Sequence, residues 1–280
     1  VQSLTYVASF QAISAIGAIP VACDIDPSSL TLDWRDAEKR ITSRTKAVMP
    51  VHYAGGVGSL NEIYEFANKN GLRVIEDAAH AFGTIFQSRR VGGWGDISCF
   101  SFDGIKNITS GEGGCIVTED VEVIKKLQDS RLLGVEKDTE KRFSGQRSWE
   151  FDVKVQGWRY HMSNIMAAIG LEQLKRFDEF SKKRQELAQI YDRELANINA
   201  VMPFNHNYDE VVPHIYVALL SENVDRENIS KSLREEGIET GVHYRPNHQH
   251  SFYQGTMGNL ALPMVDKTYP RIISLPLHPE

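Results

Sequence analysis

A mainly parallel α/β sheet followed by a second, smaller domain is the fold class this sequence predicts. Three observations predict it. Short apolar runs alternate with amphipathic stretches of helical spacing, as in strands joined by helical crossovers. Two of those runs end near residues that can do chemistry. Leu72 to Ile75 ends in Glu76 and Asp77, and Ile97 to Phe102 ends near a lone lysine, Lys106. A glycine cluster, Gly111, Gly113 and Gly114, then leads into a third run, Cys115 to Thr118.

The elements follow in order. Leu4 to Gly17 has helical spacing, with Ser3 or Thr5 as the candidate cap. Ile19 to Ile25 reads as a strand, Asp33 to Ile41 as a short amphipathic helix, and Lys46 to Val51 as another strand. Ser59 to Asn70 is a helix opened by a serine and closed by Gly71. After the central stretch, Val121 to Leu133 is a helix. Residues 134–156 are polar and charged without a clean period, and read equally as a solvated excursion or a substrate-facing loop. Met162 to Ile198 is one long or broken helix, with Met166, Ile169, Leu174 and Phe177 on its apolar side. Its apolar spacing is too irregular for sustained heptads. It leads from a large domain, residues 1–160, into a smaller one, residues 161–280. There Ile215 to Leu220 is a strand, and Arg226 to Glu236 is a helix ended by Gly237.

Composition narrows the function classes. Apolar residues make up 41% of 280, so disorder is not expected. A net charge of −6 argues against nucleic acid or an anionic membrane as the main partner. The three cysteines, Cys23, Cys99 and Cys115, sit singly in apolar runs, which suits reduced thiols in the cytoplasm. No apolar run approaches the roughly 20 residues of a membrane span, and no signal peptide is visible. Gly56-Val57-Gly58 and Gly93-Trp94-Gly95 both lack the third glycine of a dinucleotide fingerprint. His248 and His250 have no acidic or cysteine cluster beside them, so no metal site is expected.

The central stretch carries the chemistry. Ligands of open parallel sheets sit at the carboxyl ends of the strands, where Asp77 and Lys106 both fall. They are 106 − 77 = 29 positions apart, with Ser101 between them. A buried lysine amine forms a Schiff base with an aldehyde. Pyridoxal phosphate supplies that aldehyde, and its ring wants an acid beside the pyridine nitrogen. Its phosphate wants hydroxyls and backbone N–H groups, which Ser101 and the glycine-rich turn can supply. Taken singly, an Asp at a strand end is often a helix cap and a Lys after a strand is usually solvated. The combination carries the reading.

Five segments reinforce it: VIEDAAHAFGT, GDISCFSF, IKNITSGEGG, ITSRTKAVMPVHYAG and SLPLHP. With these, nearly the whole chain resembles the DegT/DnrJ/EryC1/StrS family of sugar aminotransferases, and most the branch that makes UDP-4-amino-4-deoxy-L-arabinose. The resemblance implies an aspartate-aminotransferase-type (fold type I) α/β domain plus a small α+β domain. It implies that Lys106 forms the Schiff base, Asp77 contacts the pyridine nitrogen, Ser101 binds the phosphate and His80 lies against the cofactor. Tyr6 falls where the family stacks an aromatic on the ring, although on the residues alone it reads as a core aromatic. Gly157 to Gly170 is similar to a segment that reaches into the partner subunit's site. Arg159 replaces the usual Asn there and His161 the usual basic residue, so Arg159 becomes a candidate phosphate ligand.

GVHYRPNHQHSFY matches a family motif near the sugar-nucleotide site. His243, Arg245 and His248 are then candidates for substrate contacts, with structural hydrogen bonding as the competing reading. The resemblance further implies glutamate as amino donor, a nucleotide-linked keto sugar as acceptor, and a homodimer with shared sites. Its rival within the family, a sugar dehydratase, carries His where Lys106 stands. Its rival outside enzymology is a non-catalytic relative keeping the fold, against which the joint presence of Asp77, Ser101 and Lys106 argues. Family members also carry a phosphate-binding Gly-Thr-Ala turn upstream and a final helix downstream, so the sequence is expected to be a fragment lacking both ends.

Overall fold

The computed structural model describes residues 1–136, 144–145, 151–204, 206–258 and 260–279. The expectation for residues 134–156 therefore falls mostly outside the described residues.

Helix α1 spans Val7–Ala15 and α2 spans Trp34–Lys39. The Asp33 side chain caps α2 by accepting from Arg35 N. For α1 the expected Ser3 or Thr5 cap does not form: Tyr6 takes that position without a side-chain cap bond. The main sheet contains β1 (Ala47–Val48), β2 (Arg73–Asp77), β5 (Ile97–Ser101) and β6 (Gly114–Val117), in the order β1-β2-β5-β6. The first two pairings are parallel and β5–β6 is antiparallel. A small hairpin, β3 (Ile85–Phe86) and β4 (Arg89–Arg90), sits apart from it.

Helix α3 (Leu60–Lys69) is the parallel crossover between β1 and β2. Its Ile63, Phe66 and Ala67 pack with Val48 and Val74 of the sheet and with Leu32. Burying each large apolar side chain contributes roughly 1.5–3 kcal/mol. Gly71, with φ at +63°, turns the chain out of α3 in a conformation that favours glycine.

Helix α4 (Val121–Ser130) is capped by Asp120, which accepts from Glu122 N and Val123 N. Of the two forms expected over Met162 to Ile198, the broken one is found. Helix α5 (Asn164–Lys175) and α6 (Phe177–Leu195) meet at Arg176. Helix α5 buries no side chain, and Ile169 and Leu174, expected in the core, are exposed along with Ile165 and Leu171. Helix α6 does bury a face: Phe177, Phe180, Ser181, Arg184 and Ala188.

A second sheet, β7 (Val201–Pro203), β8 (Tyr216–Leu220) and β9 (Ile272–Leu275), is wholly antiparallel in the order β7-β8-β9. Ala188 of α6 packs on its Tyr216, Ala218 and Ile273. Around it lie α7 (Arg226–Glu235), α8 (Ser251–Met257) and α9 (Pro263–Thr268). One core cluster joins the amino-terminal segment to this region, with Leu4, Phe10, Tyr253, Leu262 and Ile272 in common.

The strand expected over Ile19 to Ile25 is not formed. That segment makes only isolated bridges, Gln2 with Cys23 and Ile25 with Leu32. Its Asp24 carboxylate instead accepts from Met264 N and Val265 N at the start of α9. The strand expected over Lys46 to Val51 shrinks to β1 plus a bridge between Val51 and Asp77.

Candidate functional site

The site begins at the carboxyl ends of β2 and β5. Alternation along β2 sends its two acids to opposite faces. Glu76 is buried with His52, whose Nε2 lies 2.6 Å from Oε2, and accepts from the Tyr64 hydroxyl at 2.7 Å. Asp77 faces the other way. Its backbone is fixed to the segment after β1, donating to Pro50 O and accepting from His52 N. Its carboxylate is oriented by two neutral donors: Ser9 Oγ of α1 reaches Oδ2 at 2.6 Å, and Ala79 N reaches Oδ1 at 3.1 Å. Among the described residues no cation pairs with it, so its charge is free to meet a protonated ring nitrogen.

Ser101 ends β5, pairs with Gly114, and accepts from Asp103 N at 3.3 Å. A Cβ on Gly114 would stand 2.4 Å from Phe100 O, so the hairpin closes only with glycine there. Lys106 rides on the loop between these strands. The loop is held by Lys106 N donating to Asp103 O, and by Asn107 Nδ2 donating to Phe82 O at 3.2 Å. The half-buried Lys106 side chain makes no hydrogen bond or ion pair with a described residue. Burial lowers its pKa below the usual lysine value, partly offset by the charges of Asp103 and Asp77. The amine and the acid thus lie within electrostatic reach of each other.

His80 is buried beside them. Its Nδ1 accepts from Ala54 N at 3.4 Å, and Nε2 lies 3.0 Å from the Tyr244 hydroxyl. Burial, then the charges of Lys106 and His243, hold its pKa well below the ordinary imidazole value. Tyr6 is 57% exposed, its ring 5.5 Å from that of Tyr244. It is therefore not the core aromatic that the residues alone suggest.

A cavity of about 360 Å³ opens beside Lys106, lined also by Arg184, His214, Glu239, His243 and Ser274. His243 is oriented through Nδ1, 2.7 Å from Ser274 Oγ. Arg245 is exposed and donates to Gln249 O at 3.0 Å. His248 is buried, its Nδ1 2.7 Å from Ser3 Oγ and its Nε2 3.6 Å from Asp266. Neither of these two lines the cavity. Arg159 is exposed and bridges Leu132 through its backbone, out of contact with Asp77, Ser101 and Lys106.

Four residues escaped the sequence reading. Ser9 lies three positions after Tyr6, one helical turn along. Tyr244 lies beside His243 in the same motif. His214 directly precedes the apolar run Ile215 to Leu220. Arg184 carried a signal: it occupies a core position in the period Phe177, Phe180, Ser181, Arg184, Ala188.

The residues present fit pyridoxal phosphate: an unpaired amine, a carboxylate held only by neutral donors, and a hydroxyl at the adjacent strand end. A lysine and an acid so placed on an α/β sheet of this type define a pyridoxal-phosphate enzyme of fold type I. The model of the DegT/DnrJ/EryC1/StrS aminotransferase family matches residues 1–280, and the chain belongs to that family. It is 38% identical over 284 residues to the spore coat polysaccharide biosynthesis protein SpsC of Bacillus subtilis, covering 99% of this chain and 73% of SpsC. Among solved structures it is similar to Helicobacter pylori PseC, an aminotransferase involved in the biosynthesis of pseudoaminic acid. That match has 31% identity and a TM-score of 0.92, covering 100% of this chain and 74% of PseC. It is also similar to Spr1654 from Streptococcus pneumoniae in its PLP-form, with 27% identity and a TM-score of 0.88, covering 99% and 74%.

Proposed function

We propose that this chain moves an amino group from an amino acid, with glutamate as the natural donor, to a keto sugar carried on a nucleotide, in amino-sugar biosynthesis. The observation that carries the reading is the Lys106 amine, unpaired, partly desolvated and within reach of Asp77. When bound, pyridoxal phosphate supplies an aldehyde and a ring that takes up electrons from the substrate carbon.

The chain's own residues do the rest. Lys106 Nζ, its basicity lowered by burial, would hold the cofactor's aldehyde and would serve as general base and acid for the proton on the substrate carbon. Asp77 keeps the ring nitrogen protonated, with Ser9 and Ala79 fixing its two oxygens. Ser101 and the glycine-rich turn donate to the phosphate. His80 would lie against the bound cofactor, and the Tyr6 ring, exposed here, would cover its face. Of the candidates for the sugar nucleotide, His243, Arg245 and His248, only His243 shares the cavity with Lys106.

The catalytic unit is a homodimer with sites completed by Arg159 of the second copy. In support, α5 exposes Ile165, Ile169, Leu171 and Leu174, and edge strand β6 exposes Ile116 and Val117. Exposed apolar surface of this kind marks an association site. A large domain, 1–160, and a small one, 161–280, remain part of the proposal, supported by the separate sheets β1-β2-β5-β6 and β7-β8-β9. No described helix is long and apolar enough to cross a membrane, and with free cysteines this supports a cytoplasmic enzyme.

The test is Lys106→Ala. Wild-type protein loaded with pyridoxal phosphate should show a visible band that borohydride fixes to the protein by mass, and should aminate keto sugar nucleotides from a panel. The variant should lose both. A variant that still fixes cofactor at the wild-type level would move the anchor to another lysine.

A further inference from the structure

The cavity beside Lys106 has a second charged residue whose surroundings the proposed chemistry leaves unexplained. Arg184 is only 5% exposed, and no carboxylate pairs with it among the described residues. It uses Nη1 alone for tethering, donating to His214 O at 3.1 Å and to Leu277 O at 3.2 Å, while its buried Nε has no partner. Two carbonyl contacts explain a tether but not a buried positive charge, which is costly without a counterion. Burial pulls its pKa down to about 10, so it stays charged at neutral pH.

His214 stands beside it, 4% exposed and lining the same cavity, with neither ring nitrogen hydrogen-bonded. Burial, then the neighbouring charges of His80, Lys106 and Arg184, hold its pKa well below the ordinary imidazole value, so it is neutral and one N–H remains to donate. The cavity's one lining acid, Glu239, ion-pairs with Arg234 at 3.4 Å. A buried guanidinium and an imidazole without a hydrogen-bond partner thus belong to residues that line the same cavity as Lys106.

We propose that Arg184 and His214 form the carboxylate site for the amino donor, holding its acid group while its nitrogen is presented at Lys106. This rests on the aminotransferase reading above. A carboxylate would answer the guanidinium charge and accept from His214 at once. The cavity volume suits an amino acid and is at the small end for ligand sites.

The test follows the donor half-reaction by loss of the visible cofactor band, with L-glutamate or with propylamine, which lacks the carboxylate. Arg184→Gln should raise the half-saturating glutamate concentration about 10- to 150-fold, the range for a lost hydrogen bond to a charged group. The propylamine rate and the keto-sugar half-reaction should stay unchanged. Arg184→Lys should recover part of the loss. His214→Asn leaves the tether intact and should raise the glutamate requirement several-fold, which decides the matter where Arg184 variants fail to fold. 2-Oxoglutarate should compete with glutamate and inorganic phosphate should not.

Folded variants with unchanged half-saturation, equal slowing with glutamate and propylamine, or competition by phosphate alone would each overturn the assignment. The last would give the cavity to the diphosphate of the sugar nucleotide. Wild-type protein without a borohydride-reducible band would instead count against the aminotransferase reading itself.

Discussion

Asp77→Asn separates charge from shape at the centre of the site. The carboxylate accepts from Ser9 Oγ at 2.6 Å and from Ala79 N at 3.1 Å. An asparagine can keep its oxygen on Ala79 N and turn its amide toward Ser9, whose hydroxyl can rotate to accept. The fold should therefore survive, with a melting temperature within a few degrees of wild type. What goes is the anion opposite the cofactor's ring nitrogen. A hydrogen bond to a charged group is worth about 1.5–3 kcal/mol, so cofactor affinity should fall about 10- to 150-fold, at about 1.4 kcal/mol per factor of ten. Turnover should fall further even at saturating cofactor, because the neutral amide cannot keep the ring nitrogen protonated. The assay is steady-state amino transfer at cofactor concentrations that saturate each protein, with thermal melts as the folding control. Turnover within a few-fold of wild type, with the proton shift limiting, would refute this role for Asp77.

Two further outcomes are expected. Mixing Arg159→Ala subunits, weakened in cofactor binding, with inactive Lys106→Ala subunits should restore activity, because one of the heterodimer's two sites would then carry neither lesion. Confirmed subunit exchange without recovery would remove Arg159 from the partner's site. Stability should also depend on pH through His80 and His214, both held well below the ordinary imidazole pKa by burial. The unfolded chain takes up protons near pH 6.5 where these folded residues do not, so their contribution is present above about pH 6.5 and is lost as pH falls. Each adds at most about 1.4 kcal/mol per pH unit to the slope. In denaturant titrations His214→Asn should flatten the slope by up to that amount, and an unchanged slope would contradict the reading.

The stretches that were legible in the sequence are those whose surroundings are local. Strands β2 and β5 could be read because short apolar runs ending in turn residues have few alternatives, and both proved to carry the acid and the hydroxyl. The position of the break between α5 and α6 could not: no glycine or proline marks Arg176, and Phe177 seats against Gly83 across the fold. The apolar face of α5 has the composition of a core helix, yet it lies open, because periodicity reports that a face will be covered and not by what. The segment at Ile19 to Ile25 has strand composition, but its Asp24 is taken up by the start of α9, some 240 residues away. Within the site, Asp77, Ser101 and Lys106 could be read from their places at strand ends, and the resemblance added His80. Ser9 and His214 stayed hidden because an isolated polar residue in an apolar run shows its purpose only once distant chain arrives beside it.

The loop that carries Lys106 has a consequence for the order in which the site assembles. Its base, the pairing of Ser101 with Gly114, closes a loop of only 114 − 101 = 13 residues. The Ser9–Asp77 bond spans 68 residues and the His80–Tyr244 bond 164. Closing these longer loops costs about 1.5 and 2.2 kcal/mol more chain entropy than closing the first. The reactive amine is therefore expected to be in position while its acid is still unclamped and its histidine still wet. In pulse-labelled hydrogen exchange, the Phe102 and Ser110 amides of the hairpin should be protected before the Ala54 amide that bonds to His80. Protection in the reverse order would refute this sequence of assembly. A newly made chain would then hold a solvated, ordinary lysine first, and that lysine would gain its lowered basicity only when the carboxyl-terminal third docks over it.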